Sequence, residues 1–177
     1  MDDLVKQAMT KWPNVPDCFD WLALDARGDW YMRDERAQSL GVFPAHKGSK
    51  LTHEKLKAFI ARNYQADADG RWYFQNGPQR VFVELEITPW VWRLQSDGRV
   101  MSHTDEEARA QRCWMDELGH VYLETNLGIG LVHSMDMYMA AQHIESGLWV
   151  PQSVNFRDMP QRFSYVLSPH AAHEKQA

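Results

Sequence analysis

A short pattern recurs along this chain, and it predicts tight turns that lead into strands. An acidic residue, a glycine three positions later and then an aromatic pair or Val-Tyr occur in DARGDWYMRD (25–34), DADGRWYFQN (67–76) and DELGHVYLET (116–125). Glycine tolerates positive φ, aspartate bonds its own backbone, and aromatic residues suit a pleated surface. None of these roles needs a ligand, so we interpret the pattern as architecture and not as a binding signature.

The segment 81–87 predicts a strand with one buried face. Apolar residues alternate there with a second set that includes two glutamates, and this period of two is typical of a sheet with one wet face. Asn76-Gly77 supplies the turn before the strand, and Thr88-Pro89 breaks it. The row predicted to be buried is Val81, Val83, Leu85 and Ile87, and the row predicted to face water includes Glu84 and Glu86.

Helical patterns are fewer than strand patterns. The best-defined helix is predicted over about residues 53 to 64, with Thr52 as its cap and an apolar face made by Leu56, Phe59, Ile60 and Tyr64. A short docking helix precedes Pro13. Residues 134–145 fit either a strand or a helix, and the sequence leaves both open.

The chain is therefore predicted to be an α+β protein of antiparallel β-meanders, with two similar small subdomains packed together. Gly70 and Gly119 lie 49 residues apart, and aligning them predicts that residues 67–101 and 116–141 form similar hairpins. We assign residues 1–101 to an N-terminal α+β subdomain and residues 102–170 to a mainly β subdomain. The tail 171–177 is predicted to be disordered.

Composition excludes some classes of protein. The 177 residues carry a formal charge of -5 without any basic run, which argues against binding to a nucleic-acid backbone. No apolar stretch is long enough to span a bilayer and no secretory signal is present, so we expect a cytoplasmic protein without membrane contact. Cys18 and Cys113 belong to no metal-binding spacing and are predicted to be buried free thiols.

The order of these segments resembles a known family. CFDWLALDARGDWYM, the lysine-bearing loop HKGSKL, the apolar helix and GRWYFQNGPQRVFVELEITPW are similar to an uncharacterised proteobacterial family of unknown function. The similarity continues through HVYLETNLGIGLVHS to RFSYVLS near the end. This resemblance implies repeated small α/β motifs reminiscent of pleckstrin-homology folds, and a signalling or ligand-sensing role. It supplies no catalytic residues.

A search for catalytic chemistry finds no diagnostic motif. The nearest approach to a dinucleotide-binding glycine pattern is Gly128-Ile-Gly130, which lacks the third glycine. His120 and His133 would face each other across a hairpin, but no carboxylate or cysteine completes a metal set. Glu84 and Glu86 are more typical of an exposed strand than of an acid-base pair. We assign no catalytic, metal-binding or cofactor-binding residue and no cofactor.

The segment TPWVWR is the best candidate for a ligand site. Trp90 and Trp92 alternate onto one strand face, and Arg93 adds a planar cation beside them. The alternative is that both indoles lie in the core and Arg93 covers them with its stem. Two functions stay open: a binding or regulatory module for a small molecule or protein partner, and a hydrolase-type enzyme whose carboxylates and histidines converge only in three dimensions. The oligomeric state is left open.

Overall fold

The computed structural model of the chain describes residues 1–175. Two compact units are present, and their boundary differs from the predicted division at residues 101 and 102. The first unit contains Met1–Asp25, Asp29–Glu86 and the segment from Tyr165 onward, and the second contains Ala26–Gly28 and Ile87–Ser164. The C-terminal segment belongs to the first unit because Val166 N–H donates to the Gly70 carbonyl and Leu167 accepts from Leu85 N–H.

The first unit is a six-stranded mixed sheet with helices. Its strands are β1 (Cys18–Leu24), β2 (Trp30–Met32), β3 (Ser49–Lys50), β4 (Tyr64–Ala66), β5 (Trp72–Asn76) and β6 (Gln79–Leu85), in the sheet order β3-β2-β1-β6-β5-β4. Its helices are α1 (Asp3–Lys11), α2 (Glu35–Leu40), α3 (Glu54–Arg62) and α6 (Pro169–Glu174). The central pair, β1 and β6, is parallel.

The second unit is a seven-stranded mixed sheet with helices. Its strands are β7 (Trp90–Leu94), β8 (Val100–Ser102), β9 (Glu107–Ala108), β10 (Ala110–Met115), β11 (Val121–Thr125), β12 (Gly128–Val132) and β13 (Pro151–Ser153), in the order β13-β10-β11-β12-β7-β8-β9. Its helices are α4 (Met137–Glu145) and α5 (Met159–Arg162). The segment 134–145, left open by the sequence, is helical throughout: a 3-10 turn over Ser134–Asp136 leads into α4.

The α+β class is confirmed, but three features of the prediction are wrong. The strands are not all antiparallel, since β7 pairs with β12 and β10 with β13 in parallel, as β1 does with β6. The helix predicted over 53–64 is α3, but α1 and α4 are equally long at nine residues. His53, whose Nδ1 accepts the Leu56 N–H, caps α3 in place of Thr52.

The glycine turns are confirmed as architecture. In four hairpins the first turn residue donates its N–H to the carbonyl four positions later, over 2.9 to 3.2 Å, and the glycine between them has φ of 76 to 88°. These turns begin at Asp25, Asp67, Gln95 and Asp116. In the three that begin with aspartate, the Oδ1 atom also accepts the N–H of the residue four positions later.

The two sheets share an order of strands. The first sheet has the order β3-β2-β1-β6-β5-β4. The second sheet, read from its β9 edge, has the corresponding order β9-β8-β7-β12-β11-β10, followed by β13. The 49-residue offset aligns β5 and β6 with β11 and β12. Residues 90–101 contain β7 and most of β8, which occupy the same places in the second sheet as β1 and β2 in the first. Gly147, aligned with the turn residue Gly98, follows α4 and lies outside any hairpin. The superposition of 67–101 on 116–141 stays a prediction.

The face of β6 predicted to be wet is buried, which corrects the expected alternation. Phe82 is 0% exposed and Glu84 5%, while Val83 and Leu85 on the other face are buried as predicted. The reason is α6, whose His173 ring stacks on Phe19, which in turn stacks on Phe82. Val81 and Ile87 are half-buried.

The tail predicted to be disordered is helical as far as it is described. Residues 171–174 belong to α6, because Ser168 Oγ accepts the Ala171 N–H and Pro169 begins the helix. Residues 176 and 177 lie outside the described residues. The segment RFSYVLS (162–168) contains no strand: it comprises the end of α5, a turn at residues 163 and 164, and an irregular stretch.

A glycine substitution tests the turn geometry. Gly119 has φ of 85°, and a β-carbon there would meet no atom within 4 Å. Gly119→Ala should therefore lower the free energy of unfolding by ~1 kcal/mol through backbone strain alone. Gly119→Asn should cost less, because asparagine tolerates the left-handed region. Urea denaturation measures both, and an alanine variant as stable as the wild type would contradict the turn.

A buried histidine predicts how stability depends on pH. Burial lowers the pKa of His103 to about 3, and its Nδ1 accepts the Val91 N–H over 3.3 Å. In the unfolded chain this imidazole binds a proton near its ordinary pKa of about 6.5. As the pH falls below that value, unfolding takes up a proton, so stability should drop by up to about 1.4 kcal/mol per pH unit.

His103→Gln should flatten this dependence. The measurement is urea unfolding of both proteins at pH 7 and pH 5. Equal losses in the wild type and the variant would show that His103 does not contribute.

Candidate functional site

The three residues predicted to bind a ligand lie in the second unit. Trp90 is 6% exposed and Trp92 is 0% exposed, and their rings stack at 5.8 Å. Arg93 Nε donates to Asp136 Oδ2 over 2.7 Å, and that oxygen also accepts the Leu94 N–H. The geometry matches the alternative in which the indoles belong to the core. A ligand role for Trp90, Trp92 and Arg93 stays a prediction.

Glycines 128 and 130 make room for these indoles. A β-carbon at Gly130 would lie 2.5 Å from the Trp92 ring, and one at Gly128 would lie 3.3 Å from Trp90 Nε1. Trp92 Nε1 donates to the Leu123 carbonyl across the same sheet. The glycine pair noticed in the sequence therefore serves packing.

The carboxylates and histidines weighed in the sequence are engaged with other groups. Glu84 accepts the His170 N–H, and burial raises the pKa of Glu84. His133 Nδ1 caps a helical turn by accepting the Met135 N–H. Among the described residues, no group of three or more His, Cys, Asp or Glu could hold a metal ion.

His120 does meet a carboxylate. Its Nδ1 lies 2.7 Å from Asp116 Oδ2, and the same oxygen accepts the Tyr122 hydroxyl. Asp116 and His120 are the first and fifth residues of their turn. In the equivalent turn that begins at Asp67, the fifth residue, Arg71, donates from Nε to Asp67 Oδ2 over 2.8 Å. The shared geometry indicates that the side chain in the fifth turn position closes the turn.

A polar cluster lies at the carboxyl ends of the parallel pair β1 and β6. Lys47 Nζ donates to Asp25 and to Glu86, over 3.1 Å in each case. Partial burial opposes the charged form, but these two bonds raise the pKa of Lys47. The ammonium group bonds to both carboxylates and thereby holds the 41–48 loop against the sheet.

A mainly apolar groove lies in the first unit between α3 and the sheet, with a volume of about 320 Å³. We call it the α3 groove. From α3 come Leu56, Phe59 and Ile60, and from the sheet come Cys18, Trp21, Leu22, Met32, Phe74, Asn76, Gln79 and Val81. Ligand sites in proteins are commonly apolar clefts of roughly this size with a few polar groups.

A bulge in β1 shapes one side of the groove. Cys18 pairs with Val81 and Leu22 with Val83, so β1 uses four residues where β6 uses two. Asp20, within the bulge, has φ of 63°, a conformation that non-glycine residues rarely adopt. Bulges re-aim side chains and are common beside functional sites. Here the bulge leaves Trp21 at the groove, 37% exposed.

Arg33 holds the bulge in place. Its fully buried guanidinium donates from Nε to Asp20 Oδ1 over 2.8 Å, and to the carbonyls of Gly41 and His46. Its backbone N–H donates to the Trp21 carbonyl. One side chain therefore connects the strained strand to the 41–46 loop.

The groove is apolar except at one end. Asn76 and Gln79 pair across the β5–β6 hairpin and present their amides there. Burial raises the pKa of the Cys18 thiol, which keeps it neutral. The arrangement is suited to binding an uncharged molecule and offers no nucleophile or proton acceptor of unusual reactivity.

Part of the lining of the α3 groove is predictable from the sequence. The sequence predicts the apolar face of α3, but it predicts Cys18 only as a buried thiol and assigns no role to Trp21 or Leu22. Asp20 within the apolar run CFDWLAL was the available signal, because a charged residue between alternating apolar ones is typical of a bulge or a buried ion pair.

Comparisons with known proteins identify a family. The chain belongs to the family DUF2944, whose description reads "Protein of unknown function (DUF2946)" and whose model matches residues 1–170. Membership of a family of unknown function is thus confirmed, and the likeness to pleckstrin-homology folds stays a prediction. No curated protein matches.

Two solved structures are similar to this chain. One is a DUF1285 family protein from Silicibacter pomeroyi DSS-3, with 15% identity, a TM-score of 0.49 and coverage of 80% of this chain and 84% of that chain. The other is a DUF1285 family protein from Shewanella baltica OS155, with 17% identity, a TM-score of 0.45 and coverage of 69% and 91%.

Removing the buried guanidinium tests how far the groove wall depends on it. Arg33→Leu leaves Asp20 and two carbonyls without their donors, so the free energy of unfolding should fall by about 3 kcal/mol or more. Arg36→Leu is the matched control, because Arg36 is exposed, and it should change stability by less than about 0.5 kcal/mol. Urea denaturation gives both values, and similar small losses in the two variants would contradict this role.

Proposed function

We propose that the protein is a cytoplasmic small-molecule-binding module with a ligand-sensing role, and that the α3 groove is its binding site. The observation that carries the proposal is the groove itself. It is concave, apolar over most of its surface and polar only at the Asn76–Gln79 end. No helix of the described residues is long and apolar enough to cross a membrane.

The backbone conformation of β1 supports this site. Asp20 is held in a left-handed conformation by a buried ion pair, and conformations of this kind cost about 1–3 kcal/mol each. Such strain clusters at ligand sites, where it fixes side chains in advance. The strained residue here adjoins Trp21, on the groove rim.

The groove also offers a route to sensing. The nine-residue α3 meets the sheet through three apolar side chains, Leu56, Phe59 and Ile60. A ligand bound there adds contacts on both sides and stabilises the native state by mass action. Occupancy would thereby change how firmly α3 is held.

Filling the groove tests the proposal. The probe is N-phenyl-1-naphthylamine, a neutral dye that fluoresces in apolar sites, and it should bind the wild type and raise its unfolding temperature. Val81→Phe replaces a small, half-buried side chain of the groove lining by an aromatic ring, and should reduce dye affinity about tenfold or more. Val42→Phe is the matched control at a side chain that is 74% exposed, and should leave affinity unchanged.

Two results would contradict the proposal. One is a folded wild-type protein that does not bind the dye. The other is binding that survives Val81→Phe unchanged, since the dye would then lie elsewhere. Light scattering checks for self-association. A dimer that the dye dissociates would show that a second copy of the chain covers the groove.

A hydrolase is the second candidate, and the pairing of His120 with Asp116 favours it. Bonds from Tyr122 and His120 lower the pKa of Asp116 against the effect of burial, so the carboxylate stays charged and orients the imidazole. Such a pair serves proton transfer in many hydrolases. If it does so here, His120→Gln should abolish hydrolysis of p-nitrophenyl acetate above the rate of free imidazole. A wild type no faster than imidazole would exclude this candidate for that ester.

A further inference from the structure

We infer that the ligand of the α3 groove is a neutral amphiphile, with an apolar body and a head group that both donates and accepts hydrogen bonds, such as a primary amide or an alcohol. This inference rests on the proposed function, because it names the class of molecule that the same site takes. Three observations about charge, polarity and orientation carry it.

The first observation is the absence of charge. Among the described residues that line the groove, none is Asp, Glu, Lys, Arg or His. An ionised group moved from water to such a surface loses hydration without gaining a counter-ion, which is costly. The neutral thiol of Cys18, whose pKa is raised by burial, shows the same preference for uncharged groups. Carboxylates and ammonium ions are therefore disfavoured ligands.

The second observation is that one ion pair close to the amide end of the groove, Arg80 with Asp17, lies on the other face of the sheet. Arg80 follows Gln79 in β6, and successive side chains of a strand point to opposite faces. Its guanidinium lies over the Phe82 ring at 5.2 Å and binds Asp17 through two bonds of 2.8 and 2.6 Å. The sheet separates this ion pair from the groove.

The third observation concerns the two amides. Gln79 Nε2 donates to the Pro16 carbonyl over 3.0 Å, which orients the side chain and leaves its Oε1 as the acceptor for a ligand. Asn76, its cross-strand partner, is exposed and supplies both an N–H donor and a carbonyl acceptor. A head group that donates to one amide and accepts from the other satisfies both.

The opposite end of the groove accepts the apolar body. Trp21 and Met32 form a rim there and are 37% and 40% exposed. A flexible thioether beside an indole can adapt to chains or rings of different shape. The groove therefore has a polar end at the amides of the β5–β6 hairpin and an apolar end at the rim formed by β1 and β2.

Four probes of equal chain length test the inference by displacing the bound dye at pH 7. Octanamide and 1-octanol should displace it at concentrations at least about tenfold lower than octanoate and octylammonium, which are ionised at that pH. Octanoate or octylammonium displacing the dye as well as octanamide would overturn the inference. The proposed function would survive that result, because the dye would still be bound.

A charge-insertion variant sharpens the test. Asn76→Lys puts an ammonium group at the amide end of the groove, on an exposed position that tolerates it. In this variant octanoate should displace the dye better than octanamide, because the carboxylate gains a counter-ion. Gln142→Lys, at an exposed position of α4 in the second unit, makes the same change in net charge and should keep the wild-type order.

The outcomes separate the two claims. If Asn76→Lys and Gln142→Lys shift the order equally, the effect is one of net charge and the head-group assignment to Asn76 and Gln79 is wrong. If the wild type does not bind the dye, the proposed function fails and this inference falls with it. If the dye binds and the order of the four probes is as expected, the inference is supported.

Discussion

The buried guanidinium of Arg33 is the interaction on which the first unit depends most. A charge with no exposed surface is tolerated only when it is fully paired, and Arg33 meets this condition through Asp20 and two backbone carbonyls. Each partner belongs to a segment without regular pairing of its own: the β1 bulge and the loop before β3. The ion pair therefore fixes the part of β1 that departs from the ordinary register.

The groove follows from this constraint. Because β1 bulges, its Cys18 and Leu22 both lie in register with β6 residues on one face, and Trp21 reaches the rim. The short α3 covers the rest of that face only in part. An apolar surface that a helix leaves open, next to a strained strand, is what distinguishes this face from the opposite one, which α6 covers through Phe19 and His173.

Local features were predictable from the sequence because they depend on neighbours along the chain. The glycine turns, the Asn76-Gly77 hairpin and α3 each require only a few adjacent residues, and all are present. The parallel pairing of β1 with β6 joins residues about sixty positions apart, and no local pattern encodes it. The burial of Glu84 was missed for the same reason, since α6 lies far along the chain. For Trp90 and Trp92 the sequence leaves both a ligand role and a core role open, because stacking faces and core faces have the same composition.

The central claim is that a small neutral molecule binds in the α3 groove. Methyl-resolved NMR of the wild-type protein titrated with octanamide tests it most directly, because each methyl group reports its own surroundings. If octanamide binds in the groove, the methyl signals of Leu22, Leu56, Ile60 and Val81 shift until the site is saturated, and that of Val132 in the second unit stays unchanged. Shifts confined to the second unit, or an absence of shifts at octanamide concentrations that displace the dye, would contradict it.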